Sequence, residues 1–200
     1  MSLYVLFVAT SATFLVLSAL DYVRRAIRGE TSPVPATWIL MMAMMLLSLW
    51  MYLQSPKSSL ASNIGVTAGV VNVGIILIGV MYTNIRQKRL RISFGRSQRT
   101  CLLSGVAIYL LWLITKKPLL SYTLVQLIAV AAYVATVQKL RKSKQSTEPI
   151  FLWVAALLGS LAAIYPAWVK HDVFACIYLA RAIPSTIVIL VLISKGRRFN

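Results

Sequence analysis

The chain alternates long apolar runs with short polar segments. The runs are Leu3–Leu20, Ala36–Leu53, Leu60–Tyr82, Cys101–Thr115, Leu119–Val137, Ile150–Val169 and Val173–Ile193. Each is read against the roughly 20 residues of helix needed to cross about 30 Å of hydrocarbon. Seven membrane helices are predicted. The fourth run is short, so it must stand upright or borrow flanking residues. The first run lacks a basic leader and a small-residue cleavage site, and is expected to be retained as a helix.

The polar segments differ in charge according to side. Sixteen of the 21 Lys and Arg fall in the first, third and fifth loops and the tail, and four (Lys57, Lys116, Lys117, Lys170) fall in the others. Basic loops stay cytoplasmic, so the N-terminus is expected outside and the C-terminus inside. Tyr4, Trp50, Tyr52, Tyr122 and Trp168 then lie near the outer ends, and Tyr22, Trp38 and Tyr82 near the inner ends, as aromatic belts.

Composition agrees. Of 200 residues, 59% are hydrophobic and 12% charged, with mean hydropathy +0.78. A soluble domain is about a quarter charged and cannot expose this much hydrocarbon. The net charge of +17 would suggest a nucleic-acid partner in a soluble protein. Here the basic residues sit in membrane loops, where anionic lipid is the expected partner and no nucleic acid is. Compact loops fit a bacterial cytoplasmic (inner) membrane.

A shift of 115 residues aligns parts of the two halves. Arg24 falls on Lys139, Thr31-Ser32 on Ser146-Thr147 and Trp38 on Trp153, with Pro33 and Pro149 one position apart. Ser/Thr can cap a helix and Pro suits its first turn. The expected architecture is all-α: a parallel 3+1+3 repeat, with a three-helix bundle at residues 1–83, a basic loop plus linker helix at 84–117, and a second bundle at 118–200. Such repeats place a substrate near the midplane between them. General likeness between any two helices that follow basic loops is the competing account.

This plan resembles the SWEET sugar transporters and their PQ-loop relatives, a superfamily that includes nicotinamide-riboside-type vitamin transporters and, more distantly, pyruvate carriers. The most similar stretch is Gln126–Trp153, a helix, a basic loop and a helix. Ala135-Thr136 stands where the family has Pro-Gln, as does Leu20-Asp21 in the first half. The family's hinge prolines are therefore absent from spans one and five, and Pro184 and the glycines of span three are the local hinge candidates. The family places an Asn in its third helix, and Asn72 resembles it.

Candidate chemistry is sparse. Arg181 is the one ionisable residue deep in a span, about 12 Å into the seventh at 1.5 Å per residue. Such a residue is a functional hypothesis by default. Tyr178 and Ser185 share its face, and Pro184 frees a carbonyl one turn back. No acid lies at that depth. The guanidinium can meet a carboxylate or phosphate of a solute, or the carbonyls of neighbouring helices. Asn72 offers a substrate hydrogen bond or an interhelical one. Gly65-x-x-x-Gly69 marks close helix packing. Tyr133, Gln126, Gln138, Ser11 and Ser18 can add polar lining. Trp38 and Trp153 line an inner gate or anchor at the interface.

Enzyme chemistry finds little support. His171 stands alone beside Asp172, and no metal-ligand spacing, phosphate loop or midplane carboxylate pair occurs. Cys101 and Cys176 form no redox motif, and Met41, Met42, Met44, Met45 and Met51 suit soft packing. No cofactor or metal is expected. The last span has no Lys to carry retinal. The expected function is transport of a small polar or anionic solute (a sugar, vitamin or monocarboxylate) by alternating access. With no deep acid to carry protons, facilitated diffusion is the expected mode. The alternative is a non-transporting receptor, assembly or lipid-binding protein acting through its basic loops. Either reading admits a homo-oligomer.

Overall fold

A computed structural model describes residues 2–31, 33–88, 92–142 and 149–197; between 131 and 142 the side chains of Tyr133 and Val137 alone are described. The helices are α1 (Leu3–Ile27), α2 (Pro35–Leu53), α3 (Ile64–Arg86), α4 (Arg96–Thr115), α5 (Pro118–Lys142), α6 (Ile150–Ala162), α7 (Ile164–Val169) and α8 (Val173–Arg197). Among the described residues six helical stretches are long and apolar enough to cross a membrane, with α6 and α7 counted as one. In α5 the described apolar stretch is Pro118–Val130, and the apolar sequence runs on to Val137. The chain is a helical membrane protein. Ser32, Ser146 and Thr147 of the 115-residue repeat lie outside the described residues, as do the side chains of Gln138 and Lys139.

Local chemistry sets the helix ends. Pro35 opens α2 from an extended Val34, where its missing N–H costs nothing. The fourth run gains its length at the front. Gln98 Oε1 accepts from the Gly95 N–H at 3.0 Å, so the polar residues from Arg96 join the helix. The sixth run, expected to be continuous, breaks at Ala163. Pro166 cannot donate to the carbonyl of Ala162, and it sits instead in the first turn of α7. The stretch of positions 60–63 is non-helical, and Thr67 Oγ1 donates across it to the Leu60 carbonyl at 2.9 Å.

The helices pack in a regular order. α1 and α2 both pack along α3, and α5 and α6 both pack along α8. Between these two groups α1 meets α6, α2 meets α5, and α3 touches α8. α4 stands outside, against α2 and α5. Leu103, Ile114 and Ile78 face outward at 70%, 83% and 72% exposure, which suits lipid. Polar residues are inside: Ser11, Ser18, Ser48, Asn63, Ser121 and Gln126 are all buried. Between helices in lipid the apolar effect is small, and close approach supplies the attraction.

Glycines permit that approach. A Cβ on Gly79 would lie 2.5 Å from Val23 of α1, and one on Gly159 of α6 would lie 3.2 Å from both Leu15 and the Ser11 carbonyl of α1. The Gly65-x-x-x-Gly69 face receives side chains. The Tyr178 ring lies over Gly65 and the Met45 tip over Gly69. Gly159→Ala should therefore destabilise the α1–α6 seam by about 1–3 kcal/mol. The Ser11 carbonyl is backbone and cannot swing aside. Gly74→Ala, whose nearest neighbour would be a Met42 methyl at 3.7 Å, should be close to neutral. Unfolding in detergent micelles checks both.

Candidate functional site

The Tyr178–Arg181 spacing on α8 places both side chains on the face turned to α5 and α3. Tyr178 is buried, with its ring in the notch at Gly65. The Arg181 guanidinium lies over the Tyr178 ring at 4.9 Å and over the Tyr133 ring of α5 at 5.5 Å. Cation–π contacts of this kind contribute about 0.5–2 kcal/mol each. The Tyr178 hydroxyl also lies within hydrogen-bonding reach of the guanidinium. Arg181 Nε is buried with no hydrogen-bond partner among the described residues. The ion pairs described lie elsewhere, joining Arg25 to Asp21 and Glu30, and Arg28 to Glu30.

Arg181 borders a narrow cleft between α2, α4, α5 and α8. About 420 Å³ there is free of protein atoms, of which about 30 Å³ admits the centre of a water-sized atom, room for about two waters. Its polar lining is Arg181, Gln126 and Ser48, with Cys101 beside them and Met41, Met44 and Met45 forming a soft wall. Gln126 Nε2 donates to Ser48 Oγ at 3.1 Å, and Gln126 Oε1 is buried without a partner. The cleft thus holds an unmet donor, Arg181 Nε, and an unmet acceptor, Gln126 Oε1. Ser48 and Cys101 were not among the residues expected to line a site. Ser48 could have been found as the one hydroxyl between Trp38 and Trp50 on α2.

Asn72 is elsewhere. Its amide donates to the Leu15 carbonyl at 2.5 Å and to Ser18 Oγ at 2.9 Å, both on α1. Ser18 in turn donates to Leu15 O at 2.7 Å. The expected pairing of Asn72 with Arg181 in one pocket is therefore not what the fold assembles: Asn72 joins α3 to α1 and does not line the Arg181 cleft. Ser185 is half-buried, and its neighbour Thr186 is buried and donates to the Ala182 carbonyl at 2.8 Å. Pro184 is exposed within the helical stretch Val173–Arg197. Trp38 meets Tyr22 edge-on at 5.0 Å and 61°, and Trp153 meets Tyr133 at 6.1 Å and 62°. The two tryptophans, 115 residues apart in sequence, thus make the same kind of contact with the first helix of their own group. Trp153 Nε1 and Ser11 Oγ are buried without hydrogen-bond partners among the described residues.

A second polar cluster lies at the end opposite the basic loops. Asp172, 8% exposed, caps α8 by accepting from the Ala175 N–H at 3.0 Å. Its other oxygen accepts from the Tyr52 hydroxyl at 2.7 Å and Ser62 Oγ at 2.6 Å. The Ser59 N–H closes the cluster by donating to the Tyr52 oxygen at 2.6 Å. Tyr52 and Phe174 are edge-on at 5.6 Å, as are Tyr122 and Phe174 at 5.1 Å. From sequence, Asp172 was an acid at the mouth. Its three bonds depend on the ends of α2 and α3 meeting the start of α8. His171 beside it is exposed, with a left-handed φ of 48°. A wider, open depression of about 680 Å³ lies beside Lys116, Lys117 and Phe174 and contains none of the expected site residues.

No family model, no curated protein and no solved structure matches this chain.

Asp172→Ala removes a helix cap and the carboxylate shared by Tyr52 and Ser62, whose hydroxyls keep the Ser59 carbonyl as an acceptor, and should cost about 1–2 kcal/mol. Asp172→Asn keeps the cap oxygen and should cost less. Thermal unfolding of the purified protein in detergent reads both.

Proposed function

We propose that the chain is a membrane carrier of a small polar solute, built as two three-helix units, α1–α3 and α5–α8, joined by the linker helix α4. In this reading the units insert in the same direction, with the N-terminus outside and the C-terminus cytoplasmic. The matching packing supports it. In each group the third helix takes the other two, and the cross-contacts α1 with α6 and α2 with α5 exchange under a swap of the groups. The paired Tyr–Trp contacts support it as well.

The observation that carries the reading is Arg181: a half-buried cation whose Nε is buried, with no carboxylate partner among the described residues, bordering a cleft between the groups. An ionised side chain at mid-membrane costs about 3 kcal/mol on insertion scales, and two aromatic faces offset part of this. Alternating access would close the cleft at one end and open it at the other. The Asp172–Tyr52–Ser62 cluster ties the second unit to the first at the outer end, so opening that end breaks those hydrogen bonds. At the basic end Leu152 and Trp153 pack against Ala19, Tyr22 and Ile76. The packing described there is between apolar surfaces.

The saturated amide of Asn72 favours a second reading, a tightly packed receptor or lipid-binding protein acting through its basic loops. Counterflow uptake into proteoliposomes separates the two. A panel of sugars, vitamins and small carboxylates should yield at least one transported solute, with Arg181→Gln reducing the rate about tenfold or more and Asn72→Ala affecting stability more than rate. No flux for any solute, or normal flux in Arg181→Gln, would favour the receptor.

A further inference from the structure

We propose that the Arg181 cleft is a binding site for a small 2-hydroxycarboxylate, with the carboxylate on Arg181 and the hydroxyl donating to Gln126. This rests on the carrier reading for its biological role but on the cleft alone for its chemistry. Arg181 lies against the Tyr133 and Tyr178 rings, and its buried Nε has no hydrogen-bond partner among the described residues, so a carboxylate can supply one. Gln126 is 4% exposed, and its Nε2 is engaged by Ser48, which fixes its unpartnered Oε1 as the acceptor. A buried acceptor without a donor is costly, so the preferred occupant brings one.

The lining also excludes other classes. A sugar carries more hydroxyls than Arg181, Gln126 and Ser48 can satisfy, and the remaining wall is Leu40, Ile128 and methionine. An amino acid would bring its ammonium beside the guanidinium in a cleft lined by no carboxylate, an unscreened repulsion in a low dielectric. A carboxylate with no neighbouring donor leaves Gln126 unmet. The six heavy atoms of lactate need more than the room for about two waters, so binding requires the unbranched side chains of Met41, Met44 and Met45 to rotate aside.

Cys101 borders the same cleft and is half-buried, while Cys176 is exposed on α8. The full-length protein carrying Cys176→Ser therefore reports occupancy through alkylation of Cys101 by N-ethylmaleimide. The probes are lactate, propionate, alanine and propane-1,2-diol, which share a three-carbon skeleton. Lactate should protect Cys101 at a concentration about tenfold or more below that of propionate, as expected for one hydrogen bond in a buried site. Alanine and the diol should not protect. Arg181→Gln should abolish protection by lactate, and Gln126→Met should bring lactate and propionate together.

Equal protection by propionate or alanine, or undiminished protection in Arg181→Gln, overturns the proposal. The comparison among probes on the Cys176→Ser protein decides it even where a cleft variant fails to fold. Protection by lactate without flux in proteoliposomes leaves the site standing and overturns the carrier reading. Flux of another solute with no protection by any carboxylate does the reverse.

Discussion

Hydrocarbon offers no hydrogen-bond partner, and that single constraint organises this protein. Every polar group inside the bilayer must be answered by another part of the chain. The threonines comply locally: Thr83, Thr115, Thr123 and Thr186 each donate to the carbonyl four residues back. Asn72 complies across a helix pair, by taking a carbonyl and a hydroxyl of α1. Once these are satisfied, the unanswered groups stand out. Among the described residues they include Arg181 Nε and Gln126 Oε1, a donor and an acceptor bordering the same cleft.

Packing follows from the same constraint. With lipid outside as apolar as leucine, helices gain by close contact and by buried polar pairs. Gly79 and Gly159 bring α3 and α6 against α1. α1 thereby becomes shared: it belongs with α3 by Asn72 and with α6 by Gly159. Gly65 works differently, making room for a tyrosine ring that in turn supports the guanidinium. A small residue on α3 thus determines where a charge on α8 can sit.

The two ends of the molecule are held by unlike forces. At one, Asp172 gathers directed hydrogen bonds from α2, the turn before α3 and its own helix. At the other, the described packing of Trp38, Ile76, Leu152 and Trp153 is apolar.

The linear pattern determined the helices and most of their limits, because runs of about 20 apolar residues between charged loops have few alternatives in a bilayer. It also isolated Arg181 and Tyr178, since a cation in an aliphatic run and an aromatic one turn before it are visible in one dimension. The added turn of α4 and the break at Ala163 were harder to see, as each depends on a single local bond made or missing, at Gln98 and at Pro166. The partners were not visible at all. That Asn72 faces α1, that Tyr178 fills a glycine notch and that Ser48 orients Gln126 are pairings between residues 54 to 113 positions apart, and helix period alone does not say which face meets which. Asp172 is the plainest case: one acid at the start of a span, given its role by hydroxyls that only the folded chain brings within 3 Å.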